Sequence, residues 1–161
     1  MVRILKRRLI LALMLVAFAL VVPVTPALAQ EAGPGVRIGV SGSPAQFYFG
    51  AHYNTDPIVD RLSFRPNLEV GLGDDRTSVC GNFEFAYWWK IPDHPWHVYA
   101  GGGPAVVVYR FTEGAGGSTD VKAGFNLLLG TEHKSGLFVE LKLGLIDSPE
   151  VKFGIGYTWG K

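Results

Sequence analysis

The sequence predicts an all-β protein, an eight-stranded antiparallel up-and-down transmembrane β-barrel preceded by a cleaved signal peptide. Three observations carry this. Glycine is dense, with 21 in a 161-residue chain and the first at Gly33. Each Gly in a helix interior costs about 1 kcal/mol relative to Ala, so long helices are excluded from the part that folds. Turn-forming clusters cut that part into eight segments, and within the segments apolar and polar residues alternate with period two.

Composition narrows the classes. With 48% hydrophobic and 18% charged residues the chain holds enough apolar material for one folded domain, and disorder is excluded. A single cysteine, Cys80, excludes a disulfide framework, and a net charge of +1 removes the electrostatic footprint of a nucleic-acid binder.

Taken in order, the chain opens with an export signal. Arg3, Lys6, Arg7 and Arg8 form a cationic start, and Leu9 to Val22 is an apolar run of about 14 residues. That run is shorter than the ~20 residues a membrane-spanning helix needs. Pro23 and Pro26 end it before Ala27-Leu28-Ala29, a small-residue site at which cleavage is expected after Ala29. Residues 1–29 are therefore read as the signal peptide and 30–161 as the barrel domain, the latter with 11 Lys and Arg against 14 acidic residues.

Seven turn signals follow: Gly42-Ser43-Pro44, Asn54 to Pro57, Gly73-Asp74-Asp75, Pro92 to Pro95, Gly114 to Ser118, His133 to Gly136, and Asp147-Ser148-Pro149. They place strands near 36–41, 45–53, 61–72, 77–90, 96–111, 119–131, 136–146 and 149–159. The first is short for a membrane-spanning strand of about 9–11 residues. In the fifth, Gly101-Gly102-Gly103-Pro104 interrupts the alternation and marks a bulge or an exchange of faces.

The two faces differ sharply in the third, fourth, sixth, seventh and eighth segments. One face carries residues such as Phe64, Leu68, Phe83, Phe85, Leu127, Leu141, Phe153 and Ile155, with no charge at any of its 27 positions. The other carries Arg65, Glu69, Glu84, Lys122, Glu140, Lys142 and Lys152 among Gly71, Gly124, Gly130, Gly144, Gly154 and Gly156. A soluble barrel would turn the apolar face inward around a hydrophobic ligand, as a lipocalin does, whereas a membrane barrel turns it outward.

Three features favour the membrane barrel. Glycines on the charged face make room for long side chains in a narrow lumen. The charges on that face nearly balance, as an enclosed polar interior requires. Finally, an up-and-down barrel brings Tyr53, Tyr87, Trp88, Trp89, Trp96, Tyr99, Tyr157 and Trp159 to the rim that holds both chain ends, an expected aromatic girdle.

These strands, the glycine-rich Tyr99-Ala100-Gly101-Gly102-Gly103 and the last strand resemble the small eight-stranded outer-membrane β-barrels of Gram-negative bacteria, the OmpA, OmpX and OmpW-like porin-fold group. The stretch Lys152, Gly154, Tyr157, Trp159 is similar to the C-terminal signal that such barrels present to the outer-membrane assembly machinery, although Gly160 and Lys161 follow it. The resemblance implies a monomer in outer-membrane lipid, handled by periplasmic chaperones and that machinery, with a structural role in the envelope. The short inferred loops speak against adhesion.

No motif implies catalysis or a cofactor. His94 and His97 flank Pro95 in a turn, which does not preorganise the three or four ligands that zinc needs. Gly101-Gly102-Gly103 lacks the helix and Lys of a phosphate loop, and no Gly-x-Ser-x-Gly nucleophile motif occurs. A lipid-modifying hydrolase would require a Ser or Thr hydroxyl beside His52 or His97 at a rim. The constellation singled out is Arg65, Glu69, Glu84, Lys122, Glu140, Lys142 and Lys152, read as an ion-pair network that plugs the lumen.

Overall fold

The computed structural model describes residues 32–111 and 118–160, so the signal peptide read at 1–29 and most of the Gly114 to Ser118 turn lie outside the described residues. Eight strands follow one another: β1 (Gly33–Gly42), β2 (Gln46–Asn54), β3 (Leu62–Leu72), β4 (Arg76–Lys90), β5 (Trp96–Phe111), β6 (Thr119–His133), β7 (Leu137–Ile146) and β8 (Val151–Thr158). Each strand pairs antiparallel with the next, and β1 pairs with β8 to close the barrel. Closure leaves no free sheet edge, which is the condition for a sheet to sit in hydrocarbon.

β1 is longer than expected. Its register runs from Gly33↔Asn54 to Ser41↔Gln46 against β2 and from Gly35↔Thr158 to Gly42↔Val151 against β8. The alternation of Val36, Ile38 and Val40 with Gly35, Arg37 and Gly39 continues back through Pro34 to Gly33, residue types that give no strand signal of their own. β8 is prolonged past its end by a hydrogen bond from the Trp159 N–H to the Pro34 carbonyl at 2.8 Å.

Sidedness follows the period-two reading. Phe83 and Phe85 are 50% and 41% exposed, whereas their strand neighbour Glu84 is fully buried. Val36, Ile38, Phe49, Leu68, Leu129, Leu141, Phe153 and Ile155 are exposed in the same way around the barrel. The lipocalin alternative is thereby overturned, because the apolar rows lie outside and line no cavity.

Two local readings are corrected. β5 keeps its alternation through the glycines, with Tyr99, Gly103, Ala105, Val107 and Tyr109 buried. The irregularity sits in β7 instead, where the register against β6 passes from Asn126↔Gly144 to Phe125↔Ile146. One extra residue there turns Ile146, placed on the polar face by simple alternation, out to 58% exposure.

The inward glycines have a packing reason. The Tyr48 ring lies where a Cβ on Gly39 or Gly154 would sit, Tyr99 occupies that place over Gly130, and Phe138 over Gly156. A bulky inward side chain on one strand thus requires a bare position on the next.

Candidate functional site

The lumen holds the chemistry of this molecule. Arg37, Arg61, Arg65, Lys142 and Lys152 are buried with Glu69, Glu84, Glu132 and Glu140, close to charge balance. Taking such groups out of water costs several kcal/mol per ion, so each must find partners.

Glu140 on β7 is the hub. It takes Arg37 Nη1 on Oε1 at 2.8 Å, and Arg65 Nη1 and the Tyr99 hydroxyl on Oε2 at 2.9 and 2.8 Å. Two strand positions on, Lys142 Nζ lies 2.9 Å from Glu69 and 2.8 Å from Glu84. Glu69 also receives Lys152 Nζ at 2.7 Å and the longer contact from Arg37 at 3.4 Å. The guanidinium of Arg65 lies over the rings of Tyr99 and Phe138, 4.7 and 4.6 Å from their centroids, and Lys152 lies 5.4 Å from that of Tyr48. These ring faces attract the cations in addition to their carboxylate partners.

An amide chain continues across the barrel. Asn126 donates to Asn82 at 2.7 Å, Asn82 to Asn67 at 2.6 Å, and Asn67 to Glu84 at 2.7 Å. Side chains from β1, β3, β4, β5, β6, β7 and β8 therefore meet in one hydrogen-bonded layer across the tube.

Of the seven charged residues singled out in the sequence, Arg65, Glu69, Glu84, Glu140, Lys142 and Lys152 come together here. Lys122 does not. It faces inward but stands near the rim opposite the chain ends, 40% exposed, with Asp120 and Asp147 at 3.7 and 3.8 Å. Alternation reports which face a residue is on and not its height along the axis. Arg37 lies inside the 36–41 segment and was missed because the two faces were compared only in the third, fourth, sixth, seventh and eighth segments, although its alternation with Val36 and Ile38 marks it as inward.

The rim at the chain ends is aromatic, with a correction. Tyr53 and Trp159 are each about half exposed, and Tyr157 stacks edge-on against Trp159 at 5.6 Å. Trp88 and Tyr99, by contrast, are buried in the lumen, and their rings lie 4.4 Å apart. The Trp88 indole donates to Ser63 Oγ at 2.9 Å. Parity along β4 and β5 turns both inward, which the grouping by rim alone overlooked.

His52 does meet a hydroxyl, with Nε2 3.1 Å from Thr158 Oγ1, and Thr158 in turn donates to Glu132 Oε2 at 3.2 Å. The single hydroxyl proton is engaged by Glu132, so the His52 ring must donate to Thr158. A nucleophile needs the opposite direction, hydroxyl to histidine, with the carboxylate on the far ring nitrogen. His52 Nδ1 has no such partner, and Thr158 is buried. The trio ties β2, β6 and β8 together.

His94 Nδ1 accepts the Trp96 backbone N–H at 3.3 Å inside its own turn. Among the described residues no three His, Cys, Asp or Glu side chains are grouped to hold a metal ion. In the turn before β4, Arg76 donates twice to Asp75 Oδ2, at 3.1 and 2.7 Å, and these bonds hold the Asp75 carboxyl below the usual carboxylate range.

No protein-family model matches the chain, and no curated protein matches it. Solved structures do. The N-terminal β-barrel domain of Pseudomonas aeruginosa OprF superposes with a TM-score of 0.63 at 12% identity, over 80% of this chain and 96% of that one. This is the fold of the small outer-membrane β-barrels. Neisserial surface protein A matches with a TM-score of 0.52 at 12% identity, over 83% of this chain and all of that one. At such identity the small outer-membrane barrels share backbone architecture with this chain, while its lumenal side chains have to be read on their own.

Proposed function

We propose that the chain is an integral outer-membrane β-barrel protein with a structural role in the cell envelope, its lumen plugged by the ion-pair layer and without catalysis. The observation that carries this reading is sidedness. Uncharged rows of Phe, Leu, Ile and Val face out, while the buried charges face in. In water that arrangement would expose a continuous apolar belt far larger than the few hundred Å² a soluble protein tolerates. In lipid the same belt is the stable choice.

The export signal at 1–29 would deliver the chain, and outer-membrane lipid would be its solvent. Lys152, Gly154, Tyr157 and Trp159 are the expected signal for the assembly machinery. In the closed barrel Lys152 is paired with Glu69 and Gly154 lies against Tyr48, so that signal would have to be read before β8 closes on β1. With the envelope lipid as its only standing partner, the barrel is expected to be a monomer.

Fractionation tests the reading. The mature protein should stay with outer membranes after carbonate and high-salt washing, require detergent for extraction, and migrate differently on gels before and after boiling. Recovery from the soluble periplasm would contradict it.

A further inference from the structure

A second feature lies at the mouth opposite the chain ends, away from the charged layer. A cavity of about 350 Å³ opens there between Arg76, Tyr109, Phe111, Lys122, Asp147 and Ser148. Its size is at the small end of ligand pockets, about 300 to 1,000 Å³. The lumen beneath it departs from the polar rule. Cys80, Ala105, Val107 and Tyr109 form a buried apolar cluster, and Phe111 packs against it. From Ala105 to Phe111 every inward residue of β5 is apolar or aromatic, although the outward residues Val106 and Val108 already supply the belt.

The lip carries the opposite chemistry. The Arg76 guanidinium lies 4.9 Å from the centroid of the Phe111 ring and is exposed enough to meet a ligand. Lys122 is held only loosely, at 3.7 and 3.8 Å from Asp120 and Asp147. Ser148 Oγ lines the cup, is shielded from solvent and has no hydrogen-bond partner among the described residues. An apolar floor with two cations and a spare hydroxyl above it fits a short amphiphilic anion, tail down and head at the lip. Asp75 on Arg76, and Asp120 and Asp147 beside Lys122, set the repulsive contacts, and a ligand carboxylate would have to compete with them for the two cations.

We propose that this cup is a binding site for a small amphiphilic carboxylate or sulfate that enters from the aqueous mouth. Along β4, β5 and β6 the wall of the cup is hydrogen-bonded sheet, which closes that side to the bilayer. The site stands apart from the proposed plug and uses none of its residues.

The test uses the isotope-labelled mature barrel in phosphatidylcholine nanodiscs, titrated with sodium octanoate and, separately, with octanol. Octanoate should give saturable shifts at Ala105, Val107, Tyr109 and Phe111, with octanol weaker by about fivefold, the discrimination expected of an exposed ion pair. The double variant Arg76→Gln, Lys122→Gln, which leaves the folded core untouched, should weaken octanoate to the level of octanol. Shifts that rise without saturation, or that concentrate on Phe83 and Phe153, would mean partition into lipid and overturn the proposal. So would unchanged octanoate binding in the double variant, or contacts from lipid acyl chains to Val107 before any octanoate is added, which would make a membrane lipid the occupant.

Discussion

Glu140 satisfies two guanidiniums and a phenol at once, so the residue scale is where the lumen is most sensitive. Removing one partner of a buried ion pair costs about 3–5 kcal/mol, because the other charge stays buried and uncompensated. Glu140→Gln should lower the unfolding free energy of the detergent-folded protein by about that amount, and adding Glu84→Gln should lower it further. Lys122→Gln is the contrast. Its ion pairs are exposed and long, worth at most about 1 kcal/mol, so urea titration should find it nearly neutral. Equal effects at Glu140 and Lys122 would refute the division between plug and rim. Much of this was readable in the sequence, since the identity of six of the plug residues follows from alternation. Which of the seven grouped residues share one layer was not, because height along the axis depends on the stagger between strands. Trp88 and Tyr99 show the same limit from the other side: their position in the chain puts them at a rim, and only parity shows that they face the lumen.

At the scale of the element, a strand here is two surfaces with incompatible demands. On β4, Phe83 faces outward and Glu84 inward, so a charge is tolerated at one and excluded at the other. Phe83→Lys should destabilise the barrel in lipid vesicles by about 2–4 kcal/mol if its Cα lies near the midplane, and by less toward either rim. A soluble barrel would accept the same change at an exposed position with little effect, so reversible unfolding from vesicles separates the two. On β8, Gly154→Leu should be more damaging than its helix or strand propensity implies, because the new side chain would take the place of the Tyr48 ring. Pairing it with Tyr48→Ala should recover part of the loss, and a double-mutant cycle would read that coupling. Seven turn clusters located the strands well because Gly, Pro, Asp and Ser have mechanical reasons to sit at bends. Ser43, Asp93 and Asp147 adopt left-handed backbone there, with φ of 48°, 55° and 38°. The β7 bulge went unseen because an extra residue leaves no turn signature, only a shift in pairing.

For the molecule as a whole, one sheet carries two faces of opposite chemistry. Closure of β1 on β8 satisfies the backbone, glycines admit the large lumenal side chains, and the ion-pair layer links seven of the eight strands across the tube. Eight alternating segments made the architecture readable from the chain alone, since period two with one uncharged face fits few folds. Whether that face looked in or out was open to argument, and the burial of Glu84 beside exposed Phe83 and Phe85 answers it for the fold. What surrounds the fold is measured most directly by cross-relaxation between lipid acyl methylenes and protein side chains in nanodiscs. The account predicts strong transfer to Phe83, Phe85 and Phe153 and none to Tyr48, Tyr99 or Phe138. Transfer from water to the first three, in a protein that stays dispersed without lipid or detergent, would contradict it.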